Sequence, residues 1–252
     1  MTVRQAWRAF LAQARVELIL AGRRVENLLV TILVPLLLLV FFASVRLLPP
    51  PPAGGRQVDQ LMPGILALAV ISTGMVSLGI ATAFERGYGV LKRLGGSPLP
   101  RSALLAAKAL TVAVTVVLQV VLVVLAGLVL GWSPPGGFAV AVVGAIPWLA
   151  LGTAAFCALG LLMAGTLRAE AVLAVANGLY LVFLLLGGVI VPLDHLPAAI
   201  ASPASTLPPA LLTELLRGTM QAGHTVDPVR AAELGAWAAA LAAATIATFR
   251  TE

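Results

Sequence analysis

ERGYGVLKRLGGSPLPRSALLAAK, residues 85–108, is a basic, polar interruption between two long uncharged segments. Uncharged runs extend from Leu61 to Phe84 before it and from Ala109 to Trp132 after it. Arg86, Lys92, Arg93, Arg101 and Lys108 lie in or beside it, against one acid, Glu85. Tyr88, Val90, Leu91 and Leu94 are interleaved with these charges, and the last three recur at one-, three- and four-residue spacing. That pattern predicts a short amphipathic helix with a greasy face to cover, stopped by Gly95-Gly96 and Pro98. A basic loop also serves simply to fix orientation, so the residues alone leave docking and topology both open.

Working outward, the flanks decide the class. The chain is 60% apolar and only 10% charged, where a soluble domain carries about 25% charge. Its apolar residues come in blocks rather than at alternating or helical spacing, which points to an apolar solvent and an integral membrane protein. The net charge of +6 is unevenly placed, so it reads as topology and not as affinity for nucleic acid. One cysteine, Cys157, excludes an intrachain disulfide and a thiolate metal site. The preference for Arg over Lys, with abundant Ala, Gly and Pro, suggests a GC-rich bacterial genome.

About 20 apolar residues cross a hydrocarbon core of about 30 Å. Six segments meet or approach that length: Asn27 to Leu48, 61–84, 106–131, 138–167, 171–193 and Leu234 to Phe249. Arg46 can snorkel from the end of the first. The last, with sixteen uncharged residues, spans only if the turn holding Arg230 and Glu233 reaches the interface. Six spans put both termini on one side. Twelve of the sixteen cations fall on that side, leaving Arg46, Arg56, Arg217 and Arg230 on the other. Lys/Arg excess marks the cytoplasm, so both termini are expected there, in the inner membrane of a bacterial cell. A cleaved signal peptide is not expected, because the polar lead is long and no small-x-small site follows the apolar run.

The chain therefore reads as one all-α transmembrane domain over residues 1–252. Val3, Trp7, Phe10, Ala14 and Leu18 share one face within residues 1–26, edged by Arg4, Arg8 and Arg15, which predicts an amphipathic helix in the inner interface. Outside, the segment 193–230 is mostly apolar and cut by Pro197, Pro203, Pro208 and Pro209. It is expected to form short helices that lie on the outer leaflet or dip into it as a re-entrant piece.

No catalytic constellation is present. There is no G-x-x-x-x-G-K-[ST], so the chain does not hold ATP by a P-loop. His195 and His224 are far apart in outer loops and read as solvated; no metal site is expected. Midspan polarity is neutral: Ser72, Thr73, Ser77, Gln119, Thr153 and Asn177. An ion-coupled carrier keeps ionisable groups near the bilayer midplane, whereas Glu85, Lys108, Arg168 and Glu170 sit at span ends. Energy for transport is therefore expected from outside the chain. Ser72, Thr73, Ser77 and Asn177 are candidates to line a passage, although small polar residues equally serve close helix packing. An ion-coupled secondary transporter and a non-transporting membrane anchor are the competing functions.

The interruption also resembles the loop between the second and third spans of the type-2 ATP-binding-cassette (ABC) permease family. Glu85, Arg86, Gly89, Leu91, Leu94, Pro98, Leu99 and Lys108 match that family's pattern in order, with Val90 where Thr is common and Gly87 where an acid is common. A second likeness covers Gly187-Gly188, Val191-Pro192-Leu193, Leu196-Pro197, Pro208 and Arg217. The resemblance implies a non-catalytic permease subunit of an exporter of amphipathic drugs, lipids or secondary metabolites. It implies that 85–101 is a coupling helix docking on a separate ATPase subunit, through Glu85, Arg86, Gly89, Leu91, Lys92, Arg93 and Leu94. ATP and Mg would be held by that ATPase. The passage would form with a second permease, the same or different, within membrane lipid, and 193–216 would act as a lid.

Overall fold

The computed structural model of the chain describes residues 3–23, 25–45, 55–90, 101–190, 192–193, 196–221 and 225–248, which are helical and without strands. In chain order the helices are α1 (Val3–Arg23), α2 (Val25–Ser44), α3 (Gln57–Gly87), α4 (Arg101–Val129), α5 (Phe138–Thr166), α6 (Ala169–Leu186), α7 (Ala198–Ala204), α8 (Pro208–Met220) and α9 (Pro228–Thr248). Five carry stretches long and apolar enough to cross a membrane: α3, α4 from Ala106, α5, α6 and α9. Against the six expected, the difference lies in α2. It is a 20-residue helix, but its apolar part among the described residues, Thr31–Ser44, is shorter than a span.

The last helix begins earlier than its apolar run suggests. Asp227 accepts a hydrogen bond from the Val229 backbone N–H at 2.8 Å, and Pro228 occupies the first helical position. Both are favoured at a helix start. Arg230 and Glu233 consequently sit inside α9 rather than in a preceding turn.

Helix α3 is the centre of the bundle. Leu61 to Met75 are all buried, and α2, α4, α5 and α8 pack around them. Midway, residues Ser72–Ser77 form a single π-helical stretch. Gly74 and Gly79 here face Gly160 of α5 so closely that a Cβ on Gly160 would lie 2.7 Å from the Gly74 carbonyl oxygen and 2.8 Å from that of Met75. Two backbones approach this closely only where neither carries a side chain, the small-residue packing usual between membrane helices.

One end of the bundle is closed by a turn. Gly131, at φ +87°, ends α4 in a left-handed residue, and Trp132 N–H donates back to Gly127 O at 2.8 Å. This is the Schellman arrangement, which satisfies carbonyls that a helix end leaves open. Asp59 at the start of α3 accepts from the Ser133 N–H at 3.0 Å, and Arg56 donates to Gly131 O at 2.8 Å. The opposite end, where Arg86, Lys108 and Arg168 lie, is the basic end.

The proline-broken segment forms the short helices α7 and α8. α8 is enclosed by protein: Leu211, Leu212, Leu215, Leu216 and Met220 are buried against α3 and α5. Leu212 fills the space beside Gly152, and Gln221 donates to the Asp59 and Gln60 carbonyls at 3.0 and 3.1 Å. The apolar side of this short amphipathic helix is covered by protein, while Glu214, Gly218 and Thr219 are half-buried. At the other terminus, α1 turns Ala14 inward and leaves Leu18 exposed, so these two members of its expected face part company. The side chains of Val3, Trp7 and Phe10 lie outside the described residues.

Gly160→Ala is expected to destabilise the fold by about 1–3 kcal/mol through overpacking. Gly178→Ala, in open space on α6, should leave stability unchanged or raised. Thermal unfolding of the detergent-solubilised protein compares the two.

Candidate functional site

At the basic end α3 finishes with Phe84-Glu85-Arg86-Gly87, and the next residues turn sharply. Tyr88 N–H donates to Phe84 O at 2.9 Å and Gly89 N–H to Arg86 O at 3.0 Å. Gly89 stands at φ +71°, a conformation that glycine adopts at little cost. Tyr88 and Val90 are exposed, so the chain leaves the bundle presenting apolar side chains. Leu91, Lys92, Arg93 and Leu94 lie outside the described residues.

The two charges before that turn are anchored to different helices. Lys108, 3% exposed, reaches from α4 to pair with Glu85 of α3 and, at 3.1 Å, with Glu17 of α1. Both carboxylates are 12% exposed. A buried ammonium is tolerated only when its charge is matched, and here two acids from separate helices match it. Arg86 turns the other way, and its guanidinium donates to the Gly165 and Leu167 carbonyl oxygens at the end of α5. Those carbonyls are of the kind a helix C-terminus leaves without partners, and they carry the negative end of its dipole. Glu85 and Arg86 together thus join α1, α3, α4 and α5 directly above the exposed turn.

The midspan candidates divide. Thr73 donates its hydroxyl to Gln119 of α4, and Gln119 Nε2 donates to Thr31 O of α2 at 2.7 Å. Ser72 bonds the Ala69 carbonyl at 3.0 Å. Ser72, Thr73 and Gln119 are buried within this chain, while Ser77 is half-buried. Asn177 is exposed on α6 and returns its amide to Leu173 O at 2.7 Å. The four candidates therefore do not share one surface. The partner that sequence reasoning missed is Glu17: its only signal was a lone acid in a helix otherwise edged by arginines.

His195 and His224 lie outside the described residues, and among those described no group of His, Cys, Asp and Glu is placed to hold a metal.

Removing Lys108 leaves two carboxylates buried and unmatched. Lys108→Ala is expected to destabilise the protein by about 3–5 kcal/mol. The Lys108→Ala/Glu17→Gln/Glu85→Gln triple variant should recover most of that loss, measured by chemical unfolding in detergent.

The helices and both anchored charges fit a transport component, and the comparison with known families agrees. The ABC-2 type transporter family matches residues 8–220, most of the chain. No curated protein matches it. Members of that family are permeases, membrane components that work with an ABC ATPase partner and are generally not themselves catalytic. With five helices apolar enough to span, this chain is a multi-pass membrane protein and belongs to the ABC-2 type transporter permease family.

Proposed function

We propose that this permease is the transmembrane subunit of an exporter, working with a second permease and driven by separate ATPase subunits that bind ATP with Mg. The observation that carries the reading is the junction at the basic end. A force applied to the segment after Gly89 reaches α3 first, and through Lys108 and Arg86 it reaches α1, α4 and α5 as well. Such a junction suits a rigid-body rearrangement, in which packed helices move as a unit between two states. Leu91, Lys92, Arg93 and Leu94 would form the docking surface, with Tyr88 and Val90 at its edge.

The orientation follows from the cations: the basic end and both termini face the cytoplasm of a bacterial cell. α2, at 20 residues, supplies the sixth span when it is taken whole, and α7 with α8 forms a re-entrant hairpin from the outer side. Amphipathic molecules such as drugs, lipids or secondary metabolites are the substrate class. The midspan polar groups Ser72 and Thr73 are buried within the chain, whereas Asn177 is exposed, so Asn177 and the apolar exposed face of α6 are the surface best placed to meet cargo.

Co-purification of an ATPase subunit in equal amount is expected on gentle solubilisation. In that complex Glu85→Ala and Leu91→Asp should each lower substrate-stimulated ATP hydrolysis about tenfold, roughly the loss of 1.4 kcal/mol of coupling. Normal stimulation in both variants removes the coupling role, and ion-driven uptake by the chain alone in liposomes favours a secondary transporter. A cysteine at Ser97 is expected to react only from the cytoplasmic side and one at Ser133 only from outside, which impermeant maleimides test on intact cells.

A further inference from the structure

A second set of charges lies away from the basic end, where the α7–α8 hairpin meets α9. The hairpin turn, Ser205-Thr206-Leu207, is held by two donors on α9 that are two turns apart. Arg230 Nη1 donates to Ser205 O at 3.3 Å, and Trp237 Nε1 donates to Thr206 O at 3.0 Å. The same guanidinium reaches α8, where its Nε lies 3.3 Å from the Glu214 carboxylate, and Nη1 lies 3.2 Å from Glu233 on its own helix. One side chain therefore ties the turn, α8 and α9 together. Beside it is a cavity of about 390 Å³ lined by Glu214, Arg217, Asp227 and Arg230 together with Pro192 and Leu193.

This contact differs from the other fastenings of the hairpin. Arg217 is buried, and its bond to Gly188 O joins α8 to the segment that follows α6, well away from the turn. Arg230 is 28% exposed and opens onto the cavity, so its bonds can be exchanged for water without unpacking the core. Burial raises the Glu214 carboxyl above its ordinary range, while Arg230 and Arg217 act in the opposite direction and Asp227 and Glu233 add to the rise. Glu214 is thus paired with Arg230 across the α8–α9 contact, with Arg217 as a second cation near it. Take Arg230 away and the turn loses its bond at Ser205 while α8 loses its ion pair to α9, leaving Trp237 to hold the turn to α9.

We infer that Arg230 is a positioning residue for the transport cycle: its guanidinium is the clasp that keeps the α7–α8 hairpin shut against α9, and its release frees the hairpin turn to swing. The inference rests on the function proposed above, since a swinging hairpin matters only if material leaves past it.

Ala204, at the end of α7, is 2% exposed and packed with Leu193 and Ala210, which makes it a reporter of closure. In a Cys157→Ala background, Ala204→Cys in the detergent-solubilised full chain is expected to react slowly with a water-soluble maleimide. Arg230→Ala should speed that reaction at least tenfold. Arg230→Lys, which keeps a donor for Ser205 O and a cation beside Glu214, should slow it again, which a merely misfolded protein would not do. Equal protection with and without Arg230 overturns the clasp. In the complex with the ATPase subunit, Arg230→Ala should reduce substrate-stimulated hydrolysis, and Arg230→Lys should restore part of it. Fast labelling with unchanged stimulation overturns the positioning role. Because labelling is read on this chain alone, it fails independently of Glu85→Ala, whose failure would instead remove the coupling reading.

Discussion

A polar group inside hydrocarbon has no water to turn to, so its hydrogen bond must be found within the protein. That constraint organises the whole chain. The span threonines return their hydroxyls to the carbonyl four residues earlier: Thr111 to Ala107, Thr115 to Thr111, Thr153 to Leu149 and Thr245 to Leu241. Gln119 cannot satisfy its amide locally, so it links α4 to α2 and α3. Lys108 is in the same position with a full charge, and it gathers α1 and α3 around itself. Among the described residues Thr82, Trp132, Trp148 and Tyr180 each bury a polar atom without a protein partner, and these are the exceptions that show how complete the rest is.

The same constraint explains which parts of the architecture were readable from sequence. Spans are legible because an uninterrupted apolar run has only one comfortable solvent: the runs at 61–84, 106–131 and 138–167 became long helices, while that at 171–193 is α-helical only to Leu186. The basic interruption was legible because charge and interleaved apolar residues are local signals, but the turn at Tyr88-Gly89 was not, and most of the amphipathic helix expected there falls outside the described residues. Partners were not. Glu17 and Lys108 are far apart in sequence, as are Thr73 and Gln119, and nothing in either stretch names the other. The α8 helix shows a different limit. Hydropathy measures distaste for water, and it does not distinguish a lipid surface from a protein interior. An apolar segment broken by prolines therefore reads equally as lying on the outer leaflet or dipping into it, and the structure buries α8 between α3 and α5. Helix starts were also hidden, since Pro228 and Asp227 extend α9 beyond its apolar run through capping chemistry.

The two ends of the molecule use charge in opposite ways. At the basic end the ionic contacts are buried, matched and shared among four helices, which makes a stiff joint. At the other end Arg230 is partly wet and holds a hairpin whose remaining contacts are largely apolar, which makes a joint that can open. Between them run α3 and α5, backbone against backbone at Gly74, Gly79 and Gly160. These contacts hold the two helices close together in one register.

The π-helical stretch at Ser72–Ser77 sets the angular register between the two halves of α3. Each residue of an α-helix advances the azimuth by about 100°, and a π-turn accommodates one residue more than the regular winding would hold. Were α3 wound evenly throughout, everything beyond residue 77 would be rotated by roughly a quarter-circle relative to what precedes it. Glu85 would then look away from Lys108, and Arg86 away from the α5 carbonyls. The irregular winding at the centre of the longest span is in that sense a gear tooth: it registers the polar anchorage below with the glycine contact and the buried hairpin above.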